Sequence, residues 1–205
     1  MESFTYGNTG SDTVLIQPVD DHDLGEMETE IACIRKEKED FCLIALKVKD
    51  WNNDLSPWEA PALYGNDAFG GKAEETLKDV LSFCQEENKN YYLGGYSLAG
   101  LFALWAGTKT GIFRGIAAAS PSVWFPGFTD YLKEHPVQCP KVCLSLGDKE
   151  EKTRHPVMKT VGDRIRESQI ILEGRGIECV LEWNPGNHFK DPGIRTARAY
   201  SRVLS

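Results

Sequence analysis

Three kinds of side chain in this sequence have the types and the chain order that acyl transfer needs: a serine among small residues, a histidine far downstream, and carboxylates between them. Ser97 stands in Gly95-Tyr96-Ser97-Leu98-Ala99-Gly100, after the apolar run Tyr91–Gly95 and before the apolar run Leu98–Ala106. A strand that turns sharply into a helix around a serine presents the hydroxyl clear of the sheet, provided the residues two before and two after are tiny. Gly95 and Ala99 satisfy that condition, and Gly100 lets the helix pack closely on the sheet. The same turn puts the Leu98 N–H at a helix N-terminus, where it can donate to a developing oxyanion. A plain Gly/Ser-rich turn of a nucleotide-binding sheet shares the pattern, so the rest of the constellation has to decide.

A serine at such a turn is followed along the chain by an acid and then a histidine. His188 lies in Trp183-Asn184-Pro185-Gly186-Asn187-His188-Phe189, after the last apolar run, where parallel sheets carry functional loops. Of the other histidines, His22 precedes the serine, His135 sits in a Glu-His-Pro helix exit and His155 in an Arg-His-Pro turn. His188 is therefore the candidate general base. The acid is expected from Gly147-Asp148-Lys149-Glu150-Glu151. Glu150, three residues after the glycine, is the first choice; Asp148 is the runner-up, and Glu151 stays open.

These groups need a sheet to position them. Thr13–Val19, Phe41–Val48, Tyr91–Gly95, Gly115–Ala119, Lys141–Leu146 and Glu178–Trp183 read as strands. Their apolar runs are largely continuous, as expected of strands covered on both faces. Ser3–Tyr6 reads as an extra edge strand, Ile31–Arg35 as a weaker one, and Asp20–Asp23 as an acidic turn. Helical spacing marks Lys72–Glu87, Leu98–Ala106, a segment from Pro156 to about Glu173, and Ile194–Val203. Strands alternating with helices predict an α/β fold: a doubly wound, mainly parallel sheet of about six parallel strands. The expectation is one domain over residues 1–205 with no separate lid, Trp51–Gly71 covering part of the cleft.

Twenty-three basic against 31 acidic side chains leave a net charge of −8, and no basic stripe is interleaved with aromatics. Nucleic acid is thereby an unfavoured partner. No run approaches the roughly 20 apolar residues that cross a bilayer, so no membrane partner is expected. The N-terminal stretch has neither a basic start nor an apolar run, and a cytoplasmic location is the expectation. Cys33, Cys42, Cys84, Cys139, Cys143 and Cys179 include no C-x-x-C pair, which favours reduced thiols over zinc ligands. Asp20, Asp21, His22, Asp23 and Glu26 read as a solvated cluster rather than a metal site. Placed near the cleft rim, they would favour a neutral or cationic substrate. No metal or other cofactor is called for, and oligomeric state is left open.

The segments GGYSLAGLFALW, Ala119-Ser120-Pro121-Ser122-Val123-Trp124, LSLGDKEEKT and the Asn187-His188 loop together resemble the esterase branch of the α/β-hydrolase superfamily, the branch of esterase D and the enterochelin esterases. The resemblance runs from about Thr13 to the C-terminus. It implies hydrolysis of a small-molecule ester, thioester or related acyl bond through an acyl-enzyme on Ser97. Many relatives carry His-Gly-Gly after their third strand; here stands Gln17-Pro18-Val19-Asp20. Pro18 has no N–H, so the N–H of Val19 or of a nearby backbone amide is the expected second oxyanion donor, beside that of Leu98. Trp51, Trp58, Tyr96 and Trp124 fall at or just after strand ends, and Tyr96, Trp124 and Trp51 are the expected substrate contacts. The rival readings are an acyltransferase or peptidase on the same residues, and a hydrolase-like binding protein with an inactive site. A nucleotide-binding sheet fails for want of a G-x-G-x-x-G turn near the first strand.

Overall fold

A computed structural model of the chain describes residues 1–63 and 66–205; Tyr64 and Gly65, within the Trp51–Gly71 stretch, lie outside the described residues. The chain runs β1 (Glu2–Gly7), β2 (Thr13–Val19), α1 (Asp21–Glu37), β3 (Cys42–Lys47), α2 (Trp51–Leu55), β4 (Glu59–Ala60), β5 (Phe69–Gly70) and α3 (Ala73–Ser82). It continues through β6 (Asn90–Tyr96), α4 (Leu98–Lys109), β7 (Phe113–Ala119), α5 (Phe128–Glu134), β8 (Lys141–Gly147), α6 (Val161–Glu173), β9 (Glu178–Asn184) and α7 (Pro192–Leu204). Seven strands form one sheet in the order β1-β3-β2-β6-β7-β8-β9, while β4 and β5 make a small hairpin. Only β1 runs antiparallel, against β3, so six of the seven strands are parallel.

Both faces of the sheet are covered. Along β2, Val14 and Ile16 join a core with α3, α4, α5 and α6, whereas Leu15 and Val19 point into a second core with α1 and α7. Adjacent strand residues point to opposite faces, so a strand buried on both sides is apolar at nearly every position. This is why β2, β6 and β8 read as largely apolar runs, with Gln17 and Ser145 as buried polar exceptions. Pro18 interrupts β2 without cost, because the ladder to β6 ends at Ile16↔Leu93 and the missing N–H falls beyond it. Helix α4 is apolar all round and wholly buried except at Lys109, as befits the helix that follows the serine.

Two segments depart from the expectation. Asp20–Asp23 is not a loose turn, and Ile31–Arg35 is not a strand; both belong to α1 and its cap. Asp20 is the N-cap and accepts from Asp23 N–H at 2.8 Å, and Asp23 in turn accepts from Asp20 N–H at 3.4 Å. This reciprocal cap satisfies backbone donors that a helix otherwise leaves open. Leu24, Met27, Ile31 and Ile34 then share one face, with helical rather than strand spacing. The segment expected to be helical from Pro156 forms a short 3₁₀ turn at Met158–Thr160, and α6 begins at Val161. All six cysteines are free thiols. No helix among the described residues is long and apolar enough to cross a membrane.

Candidate active site

The site is assembled from the C-terminal ends of parallel strands. Ser97 follows β6, Ser120 follows β7, Glu150 follows β8, His188 follows β9, and Trp51 follows β3 by a short loop. Open α/β sheets offer their crevice at this edge because successive loops diverge there.

Ser97 sits at the turn into α4 with φ 55 and ψ −117, a conformation that costs an L-residue free energy and is held by its surroundings. Its N–H donates to Ala119 C=O at 3.0 Å, and its own C=O accepts from Leu101 and Ser122 N–H at 3.1 and 3.0 Å. A methyl group at Gly95 would stand 2.6 Å from Ala99 Cβ, which explains the glycine two residues before the serine. The hydroxyl is thereby aimed at His188: Nε2 lies 3.0 Å from Ser97 Oγ. Ser122 Oγ also approaches Ser97 Oγ, at 3.3 Å.

On the other side of the ring, His188 Nδ1 is 2.7 Å from Glu150 Oε2. Glu150 is buried, its side chain only 4% exposed, and its second oxygen collects three donors. These are Gly147 N–H at 2.7 Å, Ser120 Oγ at 2.8 Å and Arg195 Nη1 at 2.9 Å. Burial alone would raise the Glu150 pKa; the hydrogen bond and charge of His188, with the Gly147 and Ser120 donors, outweigh it and hold the carboxyl below its ordinary range. Side chains larger than hydrogen are excluded at Gly147, where a Cβ would meet Glu150 Oε1 at 2.9 Å and Gly186 O at 2.4 Å.

The two other candidate acids are engaged elsewhere. Asp148 accepts from Gly186 N–H at 2.7 Å and so ties the β8 loop to the loop that carries His188. Glu151 pairs with Arg166 at 3.0 and 3.2 Å.

Arg195 was not foreseen as part of the site. It is 1% exposed and reaches from α7 beneath the crevice. Its Nη2 donates to Pro185 and Asn187 C=O at 3.1 and 2.9 Å, fixing the His188 loop, while its Nη1 also donates to Tyr96 OH at 3.1 Å. The available signal was its place on the inward face of an amphipathic helix, four residues before Ala199 and eight before Val203. Ser120, with φ 42, is the second strained non-glycine residue at the site, and only the short strand-end motif hinted at it.

Two adjoining cavities meet at the serine and histidine. One, of about 280 Å³, is lined by Trp51, Leu63, Phe69, Ser97, Leu98 and Trp124, among others. The other, of about 370 Å³, includes Trp124, Lys149, Glu150, Lys152, His188 and Phe189 in its wall. Larger cavity space exists between α1, α7 and β9, away from the serine, and no group from the Ser97–His188–Glu150 chain lines it.

Several expected contacts fall elsewhere. Val19 is fully buried and lines neither cavity; its C=O accepts from Val48 N–H at 2.9 Å. In an extended strand the N–H of a residue lies on the same edge as its C=O, so the Val19 N–H faces β3 rather than Ser97. Tyr96 is a support rather than a cavity wall: its hydroxyl donates to His188 C=O at 2.8 Å, and burial foremost raises its pKa to about 12. Trp58 packs on Phe125 and Tyr131 and donates to Pro126 C=O at 3.1 Å. Trp51 and Trp124 do line the serine cavity. The acidic cluster does not reach it: Asp20 and Asp23 cap α1, and Asp21 pairs with Lys47 at 2.6 Å. Among the described residues no group of three or more His, Cys, Asp or Glu is placed to hold a metal ion.

The sheet order, the serine at the turn after a central strand and the histidine after the last strand define the α/β-hydrolase fold. Solved structures agree. The siderophore hydrolase EstA from Aspergillus nidulans superposes with a TM-score of 0.65 at 19% identity, over 97% of this chain and 86% of its own. An IroE-like serine hydrolase from Shewanella oneidensis gives 0.76 at 13% identity, over 98% of this chain and 73% of its own. Acyl-protein thioesterase 2 from Zea mays gives 0.60 at 13% identity, over 100% and 99% respectively. Neither a protein-family model nor a curated protein sequence matches the chain.

Proposed function

We propose that the protein is a serine hydrolase that cleaves a small-molecule carboxylic ester or thioester through an acyl-enzyme. The observation that carries this reading is the continuous chain Ser97 Oγ–His188 Nε2, 3.0 Å, and His188 Nδ1–Glu150 Oε2, 2.7 Å. Ser97 Oγ attacks the acyl carbon while His188 Nε2 takes its proton; the carbonyl π pair moves onto oxygen. Collapse breaks the bond to the alcohol or thiol, which leaves with the proton from His188, and water repeats the sequence to release the acid. Glu150 remains ionised, keeps the proton of the neutral ring on Nδ1 and stabilises the imidazolium. Leu98 N–H is the first oxyanion donor. The second is assigned to the Trp51–Asn52 segment, which lines the same cavity as Ser97 and Leu98, in place of Val19.

The structural neighbours include hydrolases of siderophores and of acyl-proteins, so they support acyl-bond hydrolysis without selecting one substrate. A cytoplasmic setting belongs to the same reading, supported by the six free thiols. A fluorophosphonate probe tests the mechanism: it should label the wild type and neither Ser97→Ala nor His188→Ala. A folded wild type that resists labelling and hydrolyses no ester would support an inactive, ligand-binding hydrolase fold instead.

A further inference from the structure

We propose that the alcohol half of the substrate carries an anionic group, a carboxylate or a phosphate, held by Lys149 and Lys152. The inference rests on the acyl-enzyme reading above, because that chemistry decides which half of an ester enters which cavity. His188 Nε2 must hand its proton to the leaving oxygen, so the alcohol half lies on the His188 side of Ser97. With the carbonyl oxygen on Leu98 N–H and the alcohol on the His188 side, the acyl half takes the remaining cavity, that of Trp51, Phe69, Leu98 and Trp124.

The two cavities differ in charge. The acyl side is aromatic and aliphatic, and its one charged wall residue among the described ones is Asp67. The alcohol side counts two exposed lysines, Lys149 and Lys152, among its wall residues beside His188 and Asn187. Both lysines come from an acidic stretch of sequence, but its carboxylates are engaged: Asp148 on the Gly186 N–H, Glu150 in its buried cluster, and Glu151 with Arg166. Among the described residues neither lysine lies within ion-pair distance of a carboxylate. Two cations thus line a cavity whose own wall acid, Glu150, already has its charge matched by Arg195, while Asp148, close enough to feel both lysines, is tied to the Gly186 N–H. Because the protein as a whole carries −8, long-range attraction does not favour an anion. Recognition has to be local, and so sensitive to salt only over the last few ångströms.

The test compares phenylacetyl esters of 4-hydroxybutanoate and 4-hydroxybutanamide, which match in size and differ by one charge. The wild type is expected to prefer the carboxylate in kcat/KM by about five- to tenfold, the range that two partly solvated pairs supply. In Lys149→Gln/Lys152→Gln the ratio should fall to about one, and in Lys149→Glu/Lys152→Glu it should invert. The phenylacetyl ester of 2-hydroxyethyl phosphate, as a third arm, shows whether phosphate or carboxylate is favoured. Hydrolysis of both butyl-chain esters at equal rates, or a preference that survives in the double glutamine variant, overturns the inference and leaves the proposed function standing. A folded protein that hydrolyses none of the three and resists the fluorophosphonate overturns the function, and this inference with it.

Discussion

Two glutamates lie buried beside α7, Glu150 at the crevice and Glu30 on the face of α1 that packs near Gly193. Glu150 meets His188 on one oxygen and three donors on the other, and it is held ionised. Among the described residues Glu30 meets one donor, the Gln17 amide at 3.3 Å, and neither its Oε1 nor the Gln17 Oε1 has a hydrogen-bond partner. Burial, only partly offset by Gln17 and aggravated by Asp23, lifts its pKa to about 8. Depth does not separate the two; the number of donors does. Their effects on stability have opposite signs. A depressed carboxyl such as Glu150 adds stability that is lost as pH falls through its folded pKa. A raised one such as Glu30 adds stability that is lost as pH rises from 4.5 to about 8.

The comparison breaks most visibly at Glu150. Glu150→Gln keeps the size but presents the histidine with a neutral, partly donating group, so the tautomer and the imidazolium both lose support. A fall in kcat of roughly 10³- to 10⁴-fold on any accepted ester is expected, with the circular dichroism spectrum retained. A loss under tenfold would remove Glu150 from the mechanism. Next in size is Arg195→Met, which leaves Glu150 buried beside fewer donors and releases the Pro185 and Asn187 carbonyls. It should lower the unfolding free energy by about 3–5 kcal/mol, read from urea melts. Wild-type stability in this variant would mean that Ser120 and Gly147 suffice.

Much of this contrast was hidden from the sequence. The sheet was legible because doubly covered strands cannot avoid continuous apolar runs, and β2 was located to the residue at Thr13–Val19. The serine turn was legible because its sterics restrict Gly95 and Ala99. Helix α1 was not, since its apolar stripe is thinned by acids and by Glu30, a charged residue at an inward position. The same ambiguity concealed Arg195: local spacing cannot tell an inward arginine that meets a buried acid from a surface one. Pairings such as Arg195 with Glu150 join positions 45 apart along the chain and exist only once the loops converge. Val19 failed as a donor for a related reason, because the edge of β2 that its N–H faces depends on which strands flank it.

Glu30→Gln sharpens the other half of the comparison. An amide can donate to the unpartnered Gln17 oxygen and has no charge to desolvate. Wild-type stability should decline with rising pH by up to about 1.4 kcal/mol per unit inside the window from 4.5 to about 8, Asp23 adding to the decline between 3.8 and about 6. The variant should be flatter across that window and melt higher than wild type at pH 9. An unchanged slope would show that Glu30 finds donors the static structure lacks. The smallest effect belongs to a third glutamate. Glu151 is next in sequence to Glu150, yet it is 31% exposed and meets Arg166 at the surface. Solvent screens both partners, so Glu151→Gln should change stability by no more than about 0.5 kcal/mol. It should leave kcat within twofold, since the side chain touches neither the histidine nor a cavity wall among the described residues. If Glu151→Gln instead lowered kcat as strongly as Glu150→Gln, adjacent acids would be exchanging roles, and the buried donor cluster would no longer explain which one serves His188.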